Sequence, residues 1–161
     1  MSTDAWVKTA IERCIEDEDD WLYGAFRRAL SITKGRDSLQ GYGFEWAVHT
    51  ALAYSLLRNP DVGKLAIGEK GGDGLKADLS FTAFSQEIII ELKTTERGNM
   101  TFAAADVKKA HSQHIAVYYL VFSYPYDEKA QPVLAGAELV QVGSGPLDFR
   151  YYLFKRVESA P

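Results

Sequence analysis

The segment Ile88–Thr94 combines a strongly apolar run with two charged side chains, Glu91 and Lys93. Such a run predicts a central strand buried on both faces, where residues i and i+2 share one face about 6.7 Å apart. Burying two charges costs several kcal/mol each unless they are paired or bind a metal. We therefore expect this acid–base pair to serve a site.

A second acid, Asp78, precedes Glu91 by thirteen residues, on a stretch that alternates apolar and polar side chains. The short link at residues 84–86 predicts that the two strands form an antiparallel hairpin, which brings Asp78 towards Glu91 at the end of the sheet. Asp73 in the loop 71–74 is the alternative acid. A glycine-rich loop is more simply a turn, so Asp78 is preferred.

Two carboxylates held close together repel, and the arrangement is most stable with a divalent cation between them. Oxygen ligation by Asp78, Glu91 and the backbone carbonyl of Leu92 suits a hard ion, Mg²⁺ first and Mn²⁺ second. The Lys93 ammonium cannot be a ligand, but it can orient the attacking water or help to deprotonate it. These groups together predict hydrolysis of phosphodiester bonds.

These residues resemble the PD-(D/E)xK nuclease superfamily of restriction endonucleases and Holliday-junction resolvases: Asp78, then Glu91-x-Lys93, preceded by a helix that bears Glu45. The resemblance covers residues 41–123, where the predicted order of helix, three strands, helix and strand matches the family core. It implies that Asp78 and Glu91 bind the metal and that Lys93 positions the water. It also implies that Glu45 binds the metal directly or through water, and that the substrate is DNA.

The elements that must position these groups follow from hydrophobic periodicity. Helices are predicted at 4–15 with Asp4 as N-cap, 20–32, 43–57 and 101–113, and strands at 64–68, 76–83, 88–94, 115–122, 133–142 and 149–157. We predict one domain over 1–161, with an N-terminal helical segment 1–36, a catalytic core 41–123 and C-terminal strands 132–157. The fold class is α/β and restriction endonuclease-like, a mixed sheet with helices on both faces and a β-rich tail that extends an edge or forms a dimer contact.

Basic and hydroxyl side chains near the site are candidates for contacts with phosphate. The candidates are Thr94, Thr95, Arg97, Lys108, Lys109, Arg27 and Arg28, the last two in a stretch with Lys34 and Arg36 and no acid. Solvated helix faces are an equally good interpretation of the basic runs.

Histidines and aromatic residues offer further candidates. His49, one helical turn after Glu45, is either a donor in the site or a helix-edge residue. His111 and His114 are expected to cap a helix or to face water. For Tyr118, Tyr119, Phe122 and Tyr124 we expect packing in the core rather than stacking on bases. No spacing of Cys and His residues predicts zinc.

The charge distribution bears on the partner. A net charge of -4 argues at first against nucleic acid, because Lys and Arg supply most of the nonspecific affinity for phosphates. Residues 1–20, however, hold seven acids and two bases, whereas the rest of the chain holds 15 acids and 16 bases. The acidity is thus concentrated at the N-terminus, and the balance permits a DNA substrate.

The compartment is expected to be the cytoplasm. No basic start precedes an apolar core, and no apolar run approaches the roughly 20 residues of a spanning helix, so no membrane contact is predicted. The single cysteine, Cys14, cannot pair within the chain and fits a reducing compartment.

Two other functions remain open alongside the deoxyribonuclease. One is a catalytically silent module on the same fold that binds nucleic acid or protein in a mobile-element or defence system. The other is an RNA-directed nuclease. A homodimer is compatible with the nuclease interpretation, because cutting both strands of a duplex takes two sites.

Overall fold

In the part of the chain that the structure describes, a mixed six-stranded sheet and three helices make up an α/β structure. The computed structural model describes residues 1–31, 37–70, 75–95, 107, 109–123 and 132–157, without the side chains of 37–42 and 95. The helices are α1 (Thr3–Asp17), α2 (Asp19–Ser31) and α3 (Asp37–Leu57), and the strands are β1 (Val62–Ile67), β2 (Leu79–Ala83), β3 (Gln86–Thr95), β4 (Ala116–Ser123), β5 (Ala137–Ser144) and β6 (Arg150–Arg156). A 3₁₀ turn at Pro146–Asp148 joins the last two strands.

The strands lie in the order β1-β2-β3-β4-β6-β5, with β3 and β4 parallel and the other neighbours antiparallel. The predicted hairpin between β2 and β3 is confirmed. Its turn residues, Phe84 and Ser85, both have positive φ, 52° and 62°, which matches the twist of a two-residue hairpin. The C-terminal strands β5 and β6 extend the sheet beyond β4, which is one of the two placements predicted for them.

The two faces of the sheet have different covers. All three helices pack on one face, and the buried core there includes Phe81, Ile88, Ile90 and Leu92. The side chains of Ile89, Val117, Tyr119 and Tyr152 belong to the other face, where Val107 and Leu134 pack. Because Ile88, Ile89 and Ile90 are all at most 2% exposed, β3 is the doubly buried strand that its apolar run predicted.

The predicted helix at 101–113 falls largely outside the described residues. Of its described residues, Val107 is helical as predicted, whereas residues 109–113 are not, so the predicted end at residue 113 is wrong. α1, α2 and α3 all cover the same face, and the helical residue Val107 packs on the opposite one.

Several predicted boundaries need correction. Asp4 is not the N-cap of α1; the Ser2 hydroxyl accepts the Ala5 N–H instead, at 3.1 Å. α3 begins at Asp37 rather than at residue 43, and β5 begins at Ala137 rather than at residue 133. β2 begins only at Leu79, because the chain before it leaves the ladder and forms an isolated bridge between Lys70 and Lys76.

The aromatic residues predicted to be core are buried where they are described. Tyr118, Tyr119 and Phe122 on β4 are each at most 1% exposed, whereas Tyr124 lies outside the described residues. Among the helices of the described chain, none has both the length and the apolar character needed to cross a membrane.

Candidate active site

The hairpin brings Asp78 and Glu91 together at the start of β2. Leu79 pairs with Ile90, so Asp78 lies opposite Glu91 on the neighbouring strand. The Asp78 N–H donates to Glu91 Oε2 at 3.4 Å, and the Leu92 N–H donates to Asp78 Oδ2 at 2.7 Å. Each carboxylate thus accepts a hydrogen bond from the backbone of the other segment. Asp78 therefore approaches Glu91, as the hairpin predicted.

The pair lies towards the carboxyl ends of the parallel strands β3 and β4. Beyond Glu91, Lys93 pairs with Val121, and Thr94 with Phe122. Lys93 is half-buried and shares the face of Glu91, because alternate residues of a strand point the same way. Thr94 points to the opposite face, and the side chain of Thr95 is outside the described part of the chain. In open α/β sheets, ligands commonly bind at the carboxyl ends of the strands.

The backbone of Leu92 adds a third oxygen. In an antiparallel ladder, the N–H and C=O of one residue point to the same side of the strand. Because the Leu92 N–H reaches Asp78, its carbonyl also lies on the Asp78 side of β3. Asp78, Glu91 and this carbonyl therefore form a hard-oxygen set at one end of the hairpin.

These three oxygens suit Mg²⁺, which does not need a complete shell of protein ligands. Within the described ranges, no group of three or more His, Cys, Asp or Glu side chains could hold a metal ion. Mg²⁺ is usually bound through one or two carboxylates, and water and substrate phosphates complete its octahedron. Two carboxylates and a carbonyl are sufficient for that mode of binding.

Glu91 is 1% exposed, and basic side chains surround its carboxylate. Lys109 Nζ and His111 Nε2 both lie 3.4 Å from Glu91 Oε1. Lys109 also donates to the backbone carbonyl of Lys76, at 3.3 Å. The site therefore contains two basic groups in addition to Lys93.

The position of His111 corrects an expectation. It is 2% exposed and does not face water, because its side chain lies against the buried carboxylate of Glu91. His114 is exposed as predicted and pairs with Glu87 at 3.0 Å. The burial of Glu91 implied a cationic partner, and Lys109 supplies it at 3.4 Å. The sequence pattern did not indicate that Lys109 or His111 would lie beside Glu91.

Helix α3 places His49 beside the backbone of Asp78. The backbone carbonyl of Asp78 accepts the Gly68 N–H at 2.9 Å and lies 3.1 Å from His49 Nε2. Since a carbonyl only accepts, His49 Nε2 carries the proton and donates a hydrogen bond to the Asp78 carbonyl. Glu45 is half-buried, one turn before His49 on the same helix.

The structure does not bring Arg27 and Arg28 to this site. Both are exposed on α2, where the Arg27 guanidinium stands 5.7 Å from the Tyr23 ring centroid. α2 packs on the helical face of the sheet, whereas Glu91 projects from the opposite face. Asp73, Arg97, Lys108, Lys34 and Arg36 lie outside the described residues.

In comparisons with family models, curated proteins and solved structures, none matches this chain.

Proposed function

We propose that this protein is a metal-dependent nuclease that hydrolyses phosphodiester bonds in DNA. The observation that carries the proposal is the pairing of Asp78 with Glu91 at the end of the β2–β3 hairpin, with Lys93 on the face of Glu91. A buried acid–base arrangement of this kind at the carboxyl end of a strand favours a functional role.

The order of elements supports a restriction endonuclease-like fold. α3 precedes three antiparallel strands, and β3, which carries Glu91, is followed by a crossover to the parallel strand β4. The resemblance to the PD-(D/E)xK superfamily rests on the order of helix, three strands, helix and strand, and within the crossover Val107 is helical. The membership is part of the proposal.

Each residue has a proposed role. Asp78, Glu91 and the Leu92 carbonyl would hold Mg²⁺, for which Mn²⁺ substitutes, and Glu45 would assist directly or through water. When bound, the ion neutralises charge on the nonbridging phosphate oxygens and lowers the pKa of the attacking water. Lys93 orients that water. His49 positions Asp78 through the Asp78 carbonyl, since it does not contact the carboxylate in this arrangement.

DNA binding is proposed to be weak, dependent on Mg²⁺ and sensitive to salt. The acids of the site repel phosphate until a divalent ion offsets them, and contacts by Lys and Arg are screened by salt. Thr94, Thr95, Arg97, Lys108 and Lys109 remain the candidates for contacts with the backbone of the substrate. A homodimer and a cytoplasmic location remain expectations.

The test is cleavage of supercoiled plasmid with Mg²⁺, and with EDTA in its place. Glu91→Gln and Lys93→Met are expected to abolish the Mg²⁺-dependent cleavage, because one removes a ligand charge and the other removes the group that orients the water. Glu87→Gln is the matched control, since Glu87 is a solvent-exposed acid on the same strand. Cleavage that survives in both site variants at the control's rate would contradict the proposal, and parallel assays on RNA decide between the two polymers.

One observation favours a second candidate, the catalytically silent module on the same fold. Glu91 already has Lys109 and His111 beside its carboxylate, so the cluster is able to serve as a structural ion pair. A calorimetric titration with Mn²⁺ separates the two functions. Binding that disappears in Asp78→Asn supports the nuclease, whereas an absence of binding supports the silent module.

A further inference from the structure

We propose that Lys109 is a resident counter-cation of Glu91 and that a divalent metal ion must displace its ammonium from that carboxylate. This inference rests on the proposed metal site and concerns its regulation. The affinity of the site for the ion would then be set partly by a residue that is not a ligand.

The position of the ammonium carries the argument. Lys109 Nζ lies 3.4 Å from Glu91 Oε1 and 3.3 Å from the Lys76 carbonyl, which is two residues before Asp78. It therefore bridges the two chain segments that bear the carboxylates. The protein's own cation therefore already contacts one oxygen of a carboxylate that is proposed to bind the divalent ion.

Charge makes the two cations competitors. A metal ion on Glu91 would bring two positive charges to the same carboxylate that holds the ammonium. At such short range in a partly buried site, like charges repel strongly. Binding of the ion and contact of Lys109 with Glu91 are therefore mutually unfavourable, and such a coupling is reciprocal.

The exposure of the two basic neighbours identifies Lys109 as the one that moves. The Lys109 side chain is 34% exposed, so its ammonium has a path to water. The His111 side chain is fully enclosed beside the same carboxylate oxygen and has no such path. His111 accordingly stays in place and Lys109 leaves when the ion binds.

The experiment measures the dissociation constant of Mn²⁺ by calorimetry and by the electron paramagnetic resonance signal of free Mn²⁺, without substrate. Lys109→Met is expected to bind Mn²⁺ about tenfold more tightly than the unmodified chain, within the range of ordinary coupling between sites. Lys109→Arg keeps the charge and is expected to bind as the unmodified chain does. Lys155→Met is the matched control, because Lys155 is 36% exposed and pairs with Asp4 on the helical side of the sheet.

Thermal unfolding gives an independent readout. Without divalent ions, Lys109→Met should unfold at a lower temperature than the unmodified chain, because it leaves the buried Glu91 less well compensated. Added Mn²⁺ should raise the unfolding temperature more in Lys109→Met than in the unmodified chain. If the Met variant does not fold, Lys109→Gln serves in both assays, because its amide retains a donor for the Lys76 carbonyl.

The outcomes separate the inference from the proposed function. If Mn²⁺ binds and Glu91→Gln abolishes the binding, but Lys109→Met binds no more tightly than the unmodified chain, the inference is overturned and the metal site stands. Weaker binding in folded Lys109→Met overturns it as well, since Lys109 would then support the ion. If the unmodified chain and Lys109→Met both fail to bind Mn²⁺, the proposed function fails and the inference fails with it.

Discussion

The carboxylate of Asp78 accepts the backbone N–H of Leu92 at 2.7 Å, so the strand that carries Glu91 also fixes the position of Asp78. The contact orients one carboxylate without neutralising it. It also makes the role of Asp78 in stability separable from its proposed role as a metal ligand, because an uncharged oxygen can accept the same hydrogen bond.

Asp78→Asn is expected to keep the hydrogen bond to Leu92 and to lose the charge. Its free energy of unfolding should stay within about 0.5 kcal/mol of the unmodified chain, whereas Asp78→Ala should lose about 1 kcal/mol with the hydrogen bond. Cleavage should fall in both variants by more than the roughly 10–100-fold that loss of an outer-shell partner costs. Urea unfolding and the plasmid assay measure the two effects. An active Asp78→Asn would remove Asp78 from the ligand set.

His49→Phe is expected to lose the donor to the Asp78 carbonyl. The Gly68 N–H still satisfies that carbonyl, so the loss in stability should be only about 1 kcal/mol. The Mn²⁺ affinity should fall roughly 10-fold, as expected when a positioning residue is removed. His114→Phe is the control, because its exposed pair with Glu87 should contribute less than about 0.5 kcal/mol. Equal Mn²⁺ affinities in the two variants would show that His49 does not position Asp78.

Asp4 is expected to make the free energy of unfolding depend on pH in the acid range. Burial alone would raise the pKa of this carboxyl, but hydrogen bonds from Tyr118 and Lys155 outweigh it and hold the pKa below its ordinary value of 3.8. A depressed pKa stabilises the folded chain above the unfolded pKa, and this contribution disappears as the pH falls through the folded pKa. Asp4→Asn should therefore be less stable by about 1 kcal/mol at pH 7, and this difference should shrink below pH 4. Unfolding midpoints across this range measure it, and a difference that does not depend on pH would contradict the assignment.

Cys14 is expected to be chemically inert in the folded chain. It is 2% exposed, and burial together with the nearby carboxylates of Glu18 and Asp17 raises the pKa of its thiol to about 12. Only the thiolate reacts with disulfide reagents, so the native chain should not react with Ellman's reagent at pH 8. One thiol per chain should appear in guanidinium chloride. Rapid reaction of the native chain would show that α1 opens.

Two glycines should respond oppositely to substitution by alanine. At Gly145 the new Cβ would lie 2.2 Å from Phe149 Cε1 and 3.0 Å from Ile15 Cγ2, so the cost should be about 1–3 kcal/mol. At Gly24, inside α2, the nearest atom is the flexible end of Arg28 at 3.1 Å. Gly24→Ala should stabilise the chain by about 0.5–1 kcal/mol through helix propensity. Thermal unfolding of both variants checks the two signs.

The sequence predicted the parts of this structure that depend on local pattern. The apolar run at Ile88–Thr94 and the short link before it were sufficient to predict a buried strand and its hairpin. The approach of Asp78 to Glu91 follows directly from these two features, because the register of a hairpin is set by its turn. These are the same contacts on which the proposed function rests.

The positions of His111 and Asp4 depend on tertiary contacts, which local sequence patterns do not predict. His111 lies beside Glu91, in the stretch 109–113 that is not helical although its periodicity favoured a helix. Asp4 has the position of an N-cap in the sequence, but its carboxylate instead pairs with Lys155, which is 151 residues away. In both cases a tertiary contact wins over local propensity.

The crossover between β3 and β4 has a consequence for the order of folding. Asp78 and Glu91 are thirteen residues apart and meet as soon as a local hairpin closes, whereas Lys109 and His111 arrive only when the crossover docks and the parallel ladder forms. Loop closure makes such parallel pairing slow relative to hairpin formation. The two acids are thus expected to approach one another before the positive charge of Lys109 is present. Repulsion between them would raise the barrier on the folding pathway.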